Sequence, residues 1–309
     1  MKKKIRFVAP SWLLGEVGQE KLSKTVEEFT KLGFEVTLSK HLNSNPKTRP
    51  INKAEDLVDA FNSDADIVWS VGGGLGMVKT MKCLDFSKIQ SKDKLFIGFS
   101  DNTCLTYTLV TMFDIPTIIA QNGKGMRLID KEDRKDVFRM INGEKDFHSY
   151  DYWENGENEA NKPDIEFINY EKPITGLLLG GCIEVLKDLE DAGLDNTLNY
   201  VNRHKDEGII FVLDNDGSNP SKLKKNLESF KENHWFDNVS MFICSRNYRY
   251  YEDKVKKKLN EVYLEVLGTL NKPIILNADI GHMDPLIPLY LGKKCTISKE
   301  DKKILFHYE

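Results

Sequence analysis

Short apolar runs alternate with longer segments of helical periodicity along the first half of the chain. The runs that predict strands are residues 5–9, 34–38, 66–71, 95–99 and 116–120. Between the first two runs, apolar residues recur every three or four positions from Leu22 to Leu32, and Gly33 supplies a stop signal for a helix. Strands separated by helices predict a mostly parallel sheet with helices on both faces.

A polar segment then divides the chain. Residues 143–172 are rich in Asn, Gly and acidic residues, which is typical of a linker or a surface excursion. After it, the runs "ITGLLLG", "GIIFVL", "VSMFIC" and "PIILNADI" predict more strands, and an amphipathic helix ending at Gly268 separates the last two. We therefore expect an α/β protein with an N-terminal domain over 1–142, a polar linker over 143–172 and a smaller α/β domain over 173–309.

Composition narrows the class of protein. Of the 309 residues, 40% are hydrophobic and 30% charged, which is ordinary for a globular protein, and the net charge of −4 argues against a nucleic-acid binder. No run approaches the roughly 20 apolar residues that span a membrane. The basic start "MKKKIRFVAPSWLLGE" is interrupted at Arg6, Pro10 and Glu16, so we interpret it as a first strand rather than a signal peptide and expect a cytoplasmic protein.

The five cysteines indicate no metal centre or disulfide framework. They are scattered and odd in number, and no C-x-x-C pair is present. Reduced and mostly buried thiols are the simplest interpretation. The cysteines are Cys83, Cys104, Cys182, Cys244 and Cys295.

A glycine-rich loop, "SVGGGLGMVKT" at 70–80, follows a predicted strand. It is not a dinucleotide fingerprint, because Met77 stands where the third glycine belongs. It is not a P-loop either, because Val78 precedes Lys79 and Thr80. A tight loop whose backbone N–H groups could hold an anion or an oxyanion remains, and an ordinary strand-to-helix turn explains the same residues equally well.

The stretch "FIGFSDNTCLTYTL" at 96–109 places Ser100 at the end of a buried strand. A sharp strand-to-helix turn can project a nucleophilic hydroxyl, but Asn102 stands where the G-x-S-x-G motif needs its second glycine. Asp101 and Asn102 also suit the start of a helix. From this stretch alone, a helix N-cap is the favoured role of Ser100.

A third stretch, "NADIGHMDP" at 277–285, follows a predicted strand directly. His282 there lies in a turn that could project its ring from a rigid loop, whereas the other histidines lie at the terminus or among polar residues. Among the six histidines it is the best candidate for a general base.

Taken in order, these stretches resemble the LD-carboxypeptidase family of serine peptidases (S66 type), and most closely its microcin-resistance, MccF-like branch. The resemblance covers nearly the whole chain. It rests on "VAPS" at 8–11, "GGGLG" at 72–76, "CLDF" at 83–86, "FIGFSDNT" at 96–103, "LGGCIEVL" at 179–186, "IIFVLDND" at 209–216 and "NADIGHMDP".

The resemblance implies a catalytic triad and an oxyanion hole. Ser100 occupies the position of the nucleophile, His282 that of the base, and Asp214 that of the acid which orients the histidine. Their order, Ser–acid–His, is one in which this geometry is known to occur. The oxyanion hole would be formed by Gly73, Gly74 and the backbone N–H of Asp101.

The resemblance also implies an activity. Members are cytosolic amidases, usually homodimers, that need no metal and no cofactor and cut an amide next to a free carboxylate. The expected partner is a small peptide or aminoacyl-nucleotide substrate: a murein LD-peptide, or an antibiotic conjugate such as processed microcin C. Neither a nucleic acid nor a membrane is expected as a partner.

The sequence departs from the family pattern at three places. Asp214 stands where members generally carry glutamate, Gly72 where many carry arginine, and "AQNG" at 120–123 where a "GP" turn is usual. The first departure bears on the triad, for which Asp216 is a rival acid, and the other two bear on substrate preference. The alternative function is a catalytically weak relative that binds such substrates without efficient turnover.

Candidate substrate-binding residues are Asn122, in the third of these departures, and Arg246 with Arg249 in "CSRNYRY". Arginines that follow a strand end could pair with a substrate carboxylate. Solvated surface arginines explain the same pattern equally well.

Overall fold

The computed structural model describes residues 2–11, 14–43, 47–91, 93–154, 160–247 and 253–309. Its strands are β1 (Lys4–Val8), β2 (Glu35–Leu38), β3 (Ile67–Ser70), β4 (Leu95–Gly98), β5 (Thr117–Ile119), β6 (Asp146–His148), β7 (Trp153–Glu154), β8 (Ala160–Asn161), β9 (Glu166–Ile168), β10 (Ile174–Cys182), β11 (Ile209–Asp214), β12 (Val239–Ser245), β13 (Ile274–Ala278), β14 (Leu289–Leu291), β15 (Lys294–Glu300) and β16 (Lys303–Tyr308). Its helices are α1 (Gly15–Lys31), α2 (Arg49–Asn62), α3 (Met77–Cys83), α4 (Thr103–Phe113), α5 (Glu132–Ile141), α6 (Ile183–Asp191), α7 (Thr197–Arg203), α8 (Pro220–Glu232) and α9 (Asp253–Leu267). No helix within these ranges is long and apolar enough to cross a membrane.

The first sheet has six strands in the order β14-β5-β4-β3-β1-β2. The five strands from the first half of the chain are parallel, and β14 closes one edge antiparallel to β5. All five were expected from apolar runs, and each observed end lies within one residue of the predicted one. The carboxyl ends of β3 and β4 lead into the glycine loop and into Ser100, so both candidate motifs lie at the same edge of one sheet.

The second sheet has eight strands in the order β6-β16-β15-β10-β11-β12-β13-β9. Its central strands β10 to β13 are parallel, and antiparallel strands extend both sides. The predicted fold class, α/β with two sheet-containing parts, is confirmed. Residues 143–172 contribute β6 and β9 to the two edges of this sheet, and β14 returns to the first sheet. The division into domains at 142 and 172 stays a prediction.

Helix α4 connects the two sheets, because it contacts both β5 and β10. Every residue from Thr103 to Thr111 is buried. The helix bonds to the second half of the chain through Tyr107 Oη and Thr197 Oγ1, 2.8 Å apart, and through the backbone N–H of Cys182, 3.3 Å from Thr103 Oγ1. Because α4 follows Ser100 directly, this packing fixes the serine relative to the second sheet.

All five cysteines are free thiols, and only Cys83 is exposed. The expectation of reduced and mostly buried thiols is confirmed. One buried thiol, Cys182, ends β10 beside the last residue of β11, Asp214, which is its register partner.

A lysine is buried in the first half of the chain. The side chain of Lys53 is fully covered, and its ammonium donates to the carbonyls of His41 and Leu42, each at 3.0 Å. Burial lowers the pKa of Lys53 to about 8, against the opposing effect of the Asp56 carboxylate. The protonated side chain therefore lowers the free energy of unfolding at neutral pH.

We expect the stability of the protein to rise between pH 8 and 10.5 through Lys53. In this window the unfolded chain binds more protons than the folded one, because the folded pKa lies below the ordinary value of 10.5. The gain is about 3 kcal/mol, and Lys53→Met should lack it. Urea unfolding of both proteins at the two pH values measures the difference. Parallel pH profiles for wild type and variant would contradict the assignment.

Candidate active site

Ser100, His282 and Asp214 meet at the carboxyl ends of the two sheets. His282 Nε2 lies 2.8 Å from Ser100 Oγ, and His282 Nδ1 lies 2.8 Å from Asp214 Oδ2. Since an ionised carboxylate only accepts hydrogen bonds, Nδ1 donates to Asp214 and Nε2 is left to accept the serine proton. The direct contact predicted between Asp214 and His282 is therefore present, with the tautomer that general-base catalysis needs.

The turn that carries Ser100 has an unusual backbone. Phe99 is extended, and Ser100 has a φ of 65°, in the left-handed region that a non-glycine residue rarely adopts. Such a conformation costs about 1–3 kcal/mol and is found where surrounding contacts hold it in place. Helix α4 begins at Thr103 with Asn102 as its N-cap, so the N-cap role that the local sequence favours for Ser100 is wrong.

The turn that carries His282 packs directly on Asp214. Asp214 Oδ1 accepts the backbone N–H of His282 at 3.3 Å. Gly281 has a φ of 80°, and a Cβ at this position would overlap the Asp214 carboxylate. Because Gly281 lacks that atom, the histidine turn approaches closely enough for the shorter aspartate to reach the imidazole.

The rival acid lies on the other side of the ring. Asp216 Oδ1 is 3.4 Å from His282 Nε2, the nitrogen that also contacts Ser100. Of these two carboxylates, Asp214 contacts Nδ1 and Asp216 contacts Nε2. The geometry therefore favours Asp214 over Asp216 as the orienting acid.

The glycine loop lies against the serine. A Cβ at Gly73 would come within 2.8 Å of Ser100 Cβ and 3.1 Å of Ser100 Oγ. The buried carboxylate of Asp101 ties the loop to this turn, because it accepts the N–H of Met77 at 2.9 Å and the hydroxyl of Ser11. Burial raises the pKa of Asp101, and these two hydrogen bonds oppose the rise. The loop is thus held where its N–H groups could face an oxyanion.

We expect Gly73→Ala to lower kcat by about 10²–10³. The added methyl group must displace either the loop or the serine, which costs about as much as the loss of an oxyanion-hole donor. Steady-state kinetics of the variant measures the effect. Gly268→Ala is a matched control, because a Cβ at Gly268 meets nothing within 4 Å. Equal kinetics for the two variants would contradict this role of the loop.

Two residues that support the site are absent from the sequence-based list. The ring of Phe99 packs on the imidazole of His282, with 4.4 Å between centroids. Glu184 accepts backbone N–H groups from Asp216, Gly217 and Ser218 and the Ser218 hydroxyl at 2.6 Å. Burial raises the pKa of Glu184, but these hydrogen bonds outweigh burial and hold its pKa below the ordinary value. Glu184 therefore organises the loop that follows Asp214.

The predicted substrate-binding residues lie in different settings. Asn122 is buried beneath the serine turn, where it accepts from Asn102 at 3.2 Å and donates to the Phe99 carbonyl at 3.4 Å. Arg246 is buried and pairs with Asp164 and with Asp279, the latter at 2.8 Å. Arg249 lies outside the described residues. Substrate contacts of Asn122 and Arg246 stay predictions.

A lysine that the sequence did not single out lies beside the glycine loop. Lys124 Nζ is 3.2 Å from the position that a Cβ on Gly72 would take. Partial burial, and then the charge of Lys21, lower the pKa of Lys124. The ammonium occupies the space that a side chain at Gly72 would fill. Gly72 is the neighbour of Gly73, the glycine that lies against Ser100.

Models of two protein-domain families match most of the chain. Residues 5–120 match the LD-carboxypeptidase N-terminal domain, and residues 175–297 match the LD-carboxypeptidase C-terminal domain. Among curated proteins, the Microcin C7 self-immunity protein MccF of Escherichia coli is 23% identical over 263 residues, which cover 79% of this chain and 74% of that protein.

Solved structures share the fold. An MccF-like protein from Streptococcus pneumoniae in complex with AMP has a TM-score of 0.83 at 22% identity, covering 100% of this chain and 99% of that one. MccF in complex with glutamyl sulfamoyl guanosine has a TM-score of 0.83 at 17% identity, covering 99% and 96% of the two chains. At these identities the likeness shows the fold alone.

Proposed function

This chain belongs to the LD-carboxypeptidase family, and from that premise we propose that it is a serine hydrolase which cleaves an amide next to a free carboxylate. The observation that carries the proposal is the continuous series of contacts from Asp214 through His282 to Ser100, each 2.8 Å long. The left-handed serine turn and the adjoining Gly73 support it, because both place backbone close to the reacting hydroxyl.

The proposed reaction is acyl transfer in two halves. His282 Nε2 takes the proton of Ser100 as Oγ attacks the substrate carbonyl, and Asp214 stabilises the imidazolium that forms. Backbone N–H groups of the glycine loop and of Asp101 would hold the oxyanion. The imidazolium then protonates the leaving amine, and the same base activates a water molecule that releases the acyl group from Ser100.

We propose an aminoacyl-nucleotide conjugate, such as processed microcin C, as the first substrate to test. The similarity to MccF supports this choice, because MccF is a microcin C7 self-immunity protein and one MccF structure holds a glutamyl sulfamoyl nucleoside. A murein LD-peptide is the second candidate, because the family description names LD-carboxypeptidases. A murein LD-peptide ends in a free carboxylate, and a glutamyl or aspartyl conjugate carries one on its side chain.

Lys124 is the proposed partner of that carboxylate. Its ammonium lies over Gly72, beside the loop that touches Ser100, and no ion pair of Lys124 occurs with the described residues. A partly desolvated ammonium gains from pairing with an anion. Lys124 therefore supplies a positive charge at the place where Gly72 has no side chain of its own.

We expect Lys124→Met to raise KM at least about 10-fold while kcat changes much less. Loss of one charge-assisted contact to the substrate weakens ground-state and transition-state binding together. Lys82→Met, an exposed lysine on α3, serves as the control. A fall in kcat at unchanged KM would contradict the role of Lys124 in substrate binding.

The proposed function is tested by assaying the full chain on two substrates side by side. These are a murein tetrapeptide and an aminoacyl-sulfamoyl adenylate, and product release is followed by mass spectrometry. Turnover of either substrate that is absent in Ser100→Ala supports the hydrolase. Tight binding by calorimetry without turnover would favour the catalytically weak relative instead.

The resemblance further leads us to propose a cytoplasmic homodimer. Sedimentation analysis of the purified chain tests the dimer, and a monomer at micromolar concentration would contradict it.

A further inference from the structure

A thiol completes a cluster of possible metal ligands around the histidine. Cys182, Asp214 and His282 each offer one ligand atom, and these atoms lie within 4.8 Å of one another. Cys182 and Asp214 are 3% and 4% exposed, and they are register partners at the ends of adjacent parallel strands. No other group of this kind occurs in the part of the chain that the structure describes.

We propose that this cluster binds a thiophilic divalent cation of the Zn²⁺ class and that the bound ion inhibits the hydrolase. The site is assembled from Cys182 Sγ, an Asp214 carboxylate oxygen and His282 Nδ1, with water as the fourth ligand. Sulfur, nitrogen and oxygen donors of these three types are those that Zn²⁺ takes in proteins. The inhibition rests on the proposed function, whereas the binding does not.

The geometry needs little adjustment. Zn²⁺ holds nitrogen and oxygen at about 2.0–2.2 Å and sulfur at about 2.3 Å, so tetrahedral ligand atoms lie roughly 3–4 Å apart. The Asp214 and His282 atoms are 2.8 Å apart, and the Cys182 sulfur lies within 4.8 Å of the other two ligand atoms, so it needs to move inward by no more than about 1–2 Å. The two strands that carry the sulfur and the carboxylate are paired by backbone hydrogen bonds, which fixes two of the three ligands.

The surroundings favour a cation. Glu184 Oε2 lies 3.4 Å from Cys182 Sγ, and Asp216 Oδ1 lies 3.4 Å from His282 Nε2. Together with Asp214, these side chains place three carboxylates around one imidazole and one thiol. A bound divalent ion offsets the mutual repulsion of these carboxylates.

The ion would block catalysis by reversing the tautomer of His282. Coordination of Nδ1 moves the ring proton to Nε2, while the Cys182 thiol loses its proton to solvent as the sulfur binds the metal. Nε2 then donates a hydrogen bond to Ser100 Oγ, instead of accepting its proton. Ser100 is left without a base even though its contact with the ring persists.

Titration of the purified full chain with Co²⁺ tests the binding without any substrate. The wild type should show a thiolate-to-Co²⁺ charge-transfer band that saturates at one equivalent and is displaced by Zn²⁺. Cys182→Ala and Cys182→Ser should both lack the band, which covers the case in which one variant folds poorly. Cys83→Ala removes the exposed thiol and should keep the band, as should Ser100→Ala.

Inhibition is measured separately on a substrate that the protein turns over. Zn²⁺ should inhibit the wild type, excess EDTA should restore activity, and Cys182→Ala should need at least about 10-fold more Zn²⁺ for half inhibition. A band that persists in both Cys182 variants, or that disappears with Cys83, would overturn the site. Absence of hydrolysis by every form, with a Cys182-dependent Co²⁺ band, would reject the proposed function and leave the metal site standing.

Discussion

Replacing Ser100 with alanine should abolish hydrolysis and leave the fold intact. Ser100 Oγ is the oxygen that His282 Nε2 contacts at 2.8 Å, and alanine removes that oxygen alone. Loss of a triad serine lowers kcat by roughly 10⁶. The Cβ that alanine keeps is the atom that packs against Gly73, so the turn retains its contact with the loop. Single-turnover kinetics and thermal unfolding of the same preparation measure the two effects.

The outcome separates two roles of the serine. A structural serine at a turn would be replaced with a loss of stability and little loss of rate. A variant that keeps a tenth of the wild-type rate would contradict the role of Ser100 as nucleophile. Ser87→Ala, a change in the first half of the chain, outside the candidate site, is the control for the preparation.

Asp214→Asn should lower kcat by up to about 10⁴ without unfolding the protein. The amide can no longer serve as a charged acceptor for Nδ1–H, so the histidine loses both its favoured tautomer and the stabilisation of its imidazolium. The asparagine can still accept the backbone N–H of His282 through its carbonyl oxygen, which preserves the turn. KM should change little, because the carboxylate acts through the histidine.

Asp216→Asn is the matched control for this prediction. Its carboxylate lies 3.4 Å from Nε2, whereas Asp214 is the carboxylate at Nδ1, so we expect a loss of less than about 10-fold. A larger loss of kcat in Asp216→Asn than in Asp214→Asn would contradict the assignment of the orienting acid.

Periodicity predicts much of the fold because the strands are buried on both faces. The run at 95–99 is apolar throughout, and the run at 66–71 is apolar except for Asp66 and Ser70; β4 and β3 occupy these runs almost completely. Long-range pairing is not encoded in such runs. The return of β14 to the first sheet, and the pairing of β6 and β9 at the edges of the second, depend on contacts between residues more than a hundred positions apart, which no local pattern reports.

The candidate site was likewise predicted only in part. The order of the motifs led to Ser100, Asp214 and His282, whose chemistry is marked by residue type. Three supporting residues were not predicted, because their roles depend on position rather than on residue type. The ring of Phe99 packs on the imidazole, and the Glu184 carboxylate accepts three backbone N–H groups. The ammonium of Lys124 lies over Gly72. A signal for Lys124 was available in the departure at Gly72 from the family pattern, because a glycine there leaves room for a neighbouring side chain.

Covalent labelling by a fluorophosphonate reagent tests most directly whether Ser100 is an activated nucleophile. The reagent forms a bond to a serine oxygen only when a neighbouring base activates it. Intact-mass analysis should show one adduct per chain, peptide mapping should place it on Ser100, and His282→Ala should label far more slowly. Absence of an adduct on the folded protein, or an adduct on another residue, would contradict the assignment of a serine hydrolase.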